Sequence, residues 1–146
     1  MSAVISATTK NFTRSTNRQE AKAKRFLASA HQLMNDARAH LFAEEADLAF
    51  ESAYQAALRA AGACVAQSPV GKRKRLPTSA WNRLSLVEAK GAEWASAFSR
   101  YSRTRAKLLN GQTVQITERE IRDFVAQVAV FVDEVAYGSE EPLLAA

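Results

Sequence analysis

Two groups of cations stand out in this chain by type and spacing. Lys72, Arg73, Lys74 and Arg75 form one uninterrupted run, and Arg100, Arg103, Arg105 and Lys107 form a looser second group. Cations at this density suit phosphate groups or an acidic partner surface. No aromatic residue lies inside the run, so the run alone does not suit stacking of unpaired bases. The bland reading of the run is a solvated, mobile connection. Arg105 is a separate case. Counted at 100° per residue from Trp94, it falls at about 20°, inside an apolar stripe. An arginine there must pair, stack or snorkel out. Two readings stay open for it: a structural ion pair or cation–π contact, with Tyr101 or an acid on the second helix, or contact with an anion in a groove between helices.

The remaining reactive types carry less. Cys64 sits among alanines with no cation nearby in sequence to lower its pKa, and reads as a buried structural thiol. His31 and His40 are nine residues apart on one helix, about 180° around it, so they cannot chelate one metal together. There is no GxSxG, HExxH, CxxC, DxD or Gly-rich phosphate loop. No catalytic residue, metal ligand set or cofactor is therefore assigned. The candidate anion-binding residues are Lys72, Arg73, Lys74, Arg75, Arg100, Arg103, Arg105 and Lys107.

Helices must position these groups. Arg18 to about Ala43 reads as a first helix, capped by Asn17, with Ala23, Phe26, Leu27, Ala30, Leu33, Ala37 and Leu41 on one stripe. A second runs from about Glu44 to Gln67, dense in alanine, which lets a neighbouring helix come close. Arg59 lies about 180° from Phe50 on it and is expected to face solvent. No strong breaker separates these two helices. Ser68-Pro69-Val70-Gly71 stops the second helix and leads into the basic loop. A short third helix is expected near Ala80–Lys90, punctuated by Gly91, and a fourth over about Ala92–Leu109, closed by Asn110-Gly111. The last begins at a capping box, Thr117-Glu118-Arg119-Glu120. Ile121, Phe124, Val125, Val128, Phe131, Val132 and Val135 supply its buried face. A strand over Val125–Val132 is the competing reading, which the cap and the 3.6-residue spacing oppose. The expected fold is all-α, an antiparallel bundle of four main helices plus one short helix. Residues 1–16 read as a disordered arm, 17–138 as the bundle and 139–146 as a flexible tail.

Composition agrees. At 146 residues, with 47% hydrophobic residues and only 5 Gly and 3 Pro, the chain suits one globular domain rather than a disordered one. A single cysteine excludes an intrachain disulfide. No apolar stretch is long enough to span a membrane, and the start lacks the apolar core of a secretory signal. The expectation is a cytoplasmic protein. A formal net charge of +5 permits a nucleic-acid partner without requiring one.

The order of features resembles the HEPN superfamily of small helical domains, in its compact actinobacterial branch. The matching text is Ala21–His40, then FESAYQAALRAAGACV (Phe50–Val65), then GAEWASAFSRYSRTRAKLLNG (Gly91–Gly111), then the capped ITEREIRDFVAQVAVFVDEV. The resemblance spans residues 20–137. It implies a four-to-five-helix bundle, usually a homodimer. Active members are metal-independent RNases whose site is an arginine, a polar residue, and a histidine four to six residues after the arginine. Others have lost the motif and bind nucleotide, RNA or a protein partner, often a nucleotidyltransferase. Here Arg103 and Thr104 match the motif's start, but Leu108 stands at the histidine position and no histidine follows His40. The expectation is a HEPN-like binding module without RNase activity that binds nucleic acid, nucleotide or a partner protein. The alternatives are a protein-interaction or regulatory subunit, and an atypical RNase built on Arg103, Arg105 and Tyr101.

Overall fold

The computed structural model describes residues 7–140. Within them lie α1 (Ala7–Phe42), α2 (Ala46–Gln67), α3 (Ala80–Leu84), α4 (Glu88–Ser99), α5 (Ser102–Leu109) and α6 (Glu118–Glu140), with a 3-10 turn over Pro69–Lys72. There is no strand among the described residues, and Val125–Val132 is helical. The fold is all-α.

α2 is the central element. Ala49, Ala53, Ala56, Ala57, Ala60, Ala61, Ala63 and Ala66 are all buried on it. Side chains this small let α1 lie along α2 in the most extensive helix pair of the molecule, with α6 on another side. Around the N-terminal half of α2 the core is aromatic. Phe50, Phe98, Phe124 and Phe131 are fully buried. Phe124 lies 4.9 Å from the Phe50 ring and 4.5 Å from the Tyr101 ring.

The boundaries show where local signals are overridden. α1 begins at Ala7, so Asn17 lies inside the helix and does not cap it, and the expected arm is helical from Ala7 onward. Residues 1–6 and 141–146 lie outside the described residues. The turn between α1 and α2, which has no sequence breaker, is a Schellman motif: Glu44 N–H reaches Leu41 O at 3.1 Å and Glu45 N–H reaches His40 O at 2.8 Å. Glu44 occupies the left-handed position at φ 61°. The same motif closes α5, where Gly111 at φ 70° takes that position as the sequence indicates. The Thr117 hydroxyl accepts from Glu120 N–H at 3.0 Å, the forward half of the expected capping box.

Two expected helices are cut differently. The third ends at Leu84, and Gly91 lies within α4 instead of punctuating it. Its role is close approach: a Cβ there would stand 2.5 Å from Leu84 O. The fourth is divided at Arg100–Tyr101. The Ser102 hydroxyl donates to Ser99 O at 2.7 Å, giving the backbone a local partner at the break. The break lets Tyr101 turn onto Phe50 and Phe124.

Both special positions can be tested by urea denaturation. Gly91→Ala forces a methyl against backbone and should cost about 1–3 kcal/mol. Glu44→Gly should stabilise by about 0.5–1 kcal/mol, the left-handed cost of a Cβ-bearing residue less the extra chain entropy of glycine.

Candidate functional site

The segment after α2 folds back over α1. Gln19 Nε2 donates to Gly71 O at 2.6 Å, and Lys72 Nζ donates to Thr16 Oγ1 at 3.0 Å. Gly71 must be glycine for this path, since a Cβ would stand 2.7 Å from Val65 O. α3 is fixed beside it. Ser79 accepts from Asn82 N–H at 3.4 Å at the helix start. Trp81 Nε1 donates to the buried Tyr54 hydroxyl at 2.9 Å, and Arg83 Nε donates to Pro77 O.

Between α1, α2, the returning segment and α3 lies a groove of about 510 Å³. Lys22, Arg59, Arg83 and Arg105 line it, with Gln19 and Gln55 as further polar groups. Phe26, Leu58, Gly62 and Leu76 give it apolar walls. Among the described residues no carboxylate lines it. Gly71 and Leu76, the two neighbours of the basic run, are both lining residues. The run Lys72–Arg75 is exposed at that edge.

The groove's cations differ in how they are held. Arg105 forks onto Glu51: Nε lies 2.8 Å from Oε1 and Nη2 lies 3.0 Å from Oε2. Its guanidinium carbon stands 4.9 Å from the Tyr54 ring centre. Gln55 Nε2 donates to the same carboxylate at 2.7 Å. Burial raises the Glu51 pKa, but hydrogen bonds from Arg105 and Gln55 and the charge of Arg105 together hold it below its ordinary value. The acid on the second helix is thus the partner of Arg105. The Arg59 guanidinium and the Lys22 ammonium lie over the Phe26 ring, 5.9 and 5.8 Å from its centre. Lys22 and Arg59 are exposed and Arg83 is half-buried.

The second cation group, Arg100, Arg103, Arg105 and Lys107, runs from the end of α4 along α5. Of its members only Arg105 lines this groove. Arg100 lies over the Tyr101 ring at 5.0 Å and borders a separate hollow with Thr104, Glu120 and Asp123. Arg103 and Lys107 are exposed and line neither. Leu108 is half-buried and packs against the core. His31 is exposed, and His40 Nδ1 lies 3.0 Å from Glu45 Oε1 at the α1–α2 turn. Burial first, and then the Glu88 carboxylate, push the Cys64 thiol up to about 11, so it stays protonated at neutral pH.

Sequence reasoning missed Lys22, Phe26, Arg59 and Arg83. Each looks like an ordinary surface or stripe residue on its own helix, and only the folded-back segment assembles them. The one available signal was the i, i+4 pair Lys22–Phe26 at the edge of the first stripe.

A family model described as SAV_6107-like HEPN matches residues 37–136. No curated protein and no solved structure matches the chain. Arg59, Arg83 and Arg105 lie within the matched span, and Gln19, Lys22 and Phe26 precede it.

The Glu51–Arg105 pair has a signed pH dependence. A folded-state pKa held below the unfolded value of about 4.5 adds stability that is present above that pH and lost as pH falls through the folded value. Thermal melts should therefore show wild type more stable than Glu51→Gln above about pH 5, with the gap closing as the solution is acidified below about pH 4.

Proposed function

The chain belongs to the SAV_6107-like HEPN family, and from that premise we propose that it is a binding module for phosphate-bearing ligands, nucleic acid or nucleotide, without the RNase chemistry of other HEPN domains. The observation that carries this reading is the groove: four cations line it, no described carboxylate does, and the run Lys72–Arg75 stands at its edge. Such a surface attracts polyanions through counterion release rather than by sequence. The reading leaves ribonuclease activity out because Leu108 stands where the resemblance puts the motif's histidine. The reading includes a cytoplasmic homodimer, as HEPN domains often dimerise.

A second reading is a protein-interaction subunit, for example beside a nucleotidyltransferase. It draws on the apolar tip at the α1–α2 turn, where Phe42 is 94% and Leu48 50% exposed. Salt separates the two, because phosphate binding weakens steeply with ionic strength and an apolar interface does not.

The test is to change Lys72, Arg73, Lys74 and Arg75 together to Gln. All four are exposed, so thermal stability should stay nearly unchanged. Affinity for a labelled single-stranded oligonucleotide should fall, and the slope of log K against log salt should flatten by about 0.7 for each phosphate that the variant no longer neutralises. Wild-type affinity and slope in the variant would move the protein-interaction reading to first place.

A further inference from the structure

We propose that this groove selects nucleic acid with unpaired bases, and that Phe26 is the platform on which one base stacks. The inference deepens the phosphate-binding reading and rests on it.

Phosphate alone would need only the cations. The groove instead combines them with an apolar interior, and the largest group in that interior is the Phe26 ring, half-buried at the junction of α1 and α2. The ring is seated on Gly62. A Cβ at that position would meet ring atoms Cε2, Cδ2 and Cζ at 3.0, 3.1 and 3.3 Å, so glycine is what allows the ring to lie this close to α2. Away from Gly62 the ring carries only the cation–π contacts of Lys22 and Arg59, at 5.8 and 5.9 Å, and a stacking base would take their place over the ring while the two cations turn to its phosphates. A base stacked on a protein aromatic contributes about 1–3 kcal/mol and needs no particular sequence, since every base has a π-face.

Charge is arranged to suit. Lys22 comes from α1 and Arg59 from α2, and both stand within 6 Å of the ring centre. Arg83 lines the same groove from α3. Arg105 is already engaged by Glu51 and Arg83 gives its Nε–H to Pro77 O, so Lys22, Arg59 and the terminal amino groups of Arg83 are what is left for phosphates beside a stacked base. Gln19 and Gln55 line the same space with amide groups that can meet base edges. A duplex hides its base faces within its own stack, and a groove of about 510 Å³ suits a ligand of small-molecule size rather than a double helix. The exposed run Lys72–Arg75 would then carry the continuing strand out of the groove.

The experiment compares two labelled strands of about 12 nucleotides, within the usual range for single-strand sites. One is oligouridylate; the other is an abasic strand with the same number of phosphates. Fluorescence anisotropy is read with wild type, Phe26→Leu and Phe26→Trp. Wild type should bind the base-bearing strand about tenfold more tightly than the abasic one. Phe26→Leu should bring both strands to the abasic affinity, and Phe26→Trp should keep the preference. Unchanged abasic binding by Phe26→Leu serves as the check that the variant is folded. A 12-base-pair duplex, about the same length, should bind no better per strand than the abasic control. Equal affinity of wild type for the two strands, or a preference that survives Phe26→Leu, would overturn the platform and leave phosphate binding standing. If wild type binds neither strand, the phosphate-binding reading itself fails and the platform fails with it.

Discussion

The architecture depends on how closely helices can approach α2. Eight alanines on that helix are buried, and among its neighbours α1 and α6 pack against different sides of it. Bulkier side chains would hold α1 away and open the seam in which Phe26 lies on Gly62. The alanine-rich stretch looks like plain helix propensity in the sequence, but its structural effect is distance. Closeness on one side creates the seat of the groove. On the other it brings Phe50 against Phe124 and lets the aromatic cluster close the bundle.

The groove's electrostatics follow from the same packing. Glu51 and Gln55 sit one turn apart on α2; Gln55 holds the Glu51 carboxylate, which anchors Arg105 from α5 over the Tyr54 ring. A half-buried arginine without a carboxylate would be costly, and the fork onto Glu51 removes that cost. It also leaves Arg105 partly neutralised within the groove. In the proposed reading the attraction for an anion therefore rests on Lys22, Arg59 and Arg83, the lining cations with no ion pair among the described residues. They come from three different helices. A ligand bridging them would also tie α1, α2 and α3 together, so binding should raise the stability of the bundle by mass action.

Elements with strong local signals were legible in the sequence. The Thr117 cap, the Gly111 stop and the apolar stripe of α6 are each set by residues a few positions apart. The features that were not legible depend on the fold. Glu44 in a left-handed turn position has no sequence signature, because the motif is made by backbone bonds around a residue that does not favour it. The break at Arg100–Tyr101 goes with the packing of the half-buried Tyr101 against Phe50 and Phe124, far away in sequence. Arg105 was legible as an arginine in an apolar stripe that needed a partner. Which of the two open roles it takes became readable only with Glu51 placed across from it. The four-cation groove was illegible for the same reason: residues that face solvent on separate helices become one site when a 3-10 turn is pinned back by Gln19.

Cleaving RNA without a metal requires a group that can take a proton from the attacking hydroxyl and return one to the leaving oxygen. Arginine stabilises charge but does not give up its proton near neutral pH, so Arg103 cannot do both parts. Leu108, which the resemblance sets at the histidine position, packs on the core. The two histidines present lie on α1, one exposed and one against Glu45 at the inter-helix turn. Cys64 stays protonated at neutral pH and offers no substitute base. The proposed reading therefore asks the fold only to hold phosphates and, through Phe26, a base, and it assigns no residue to the proton transfer that cleavage would require.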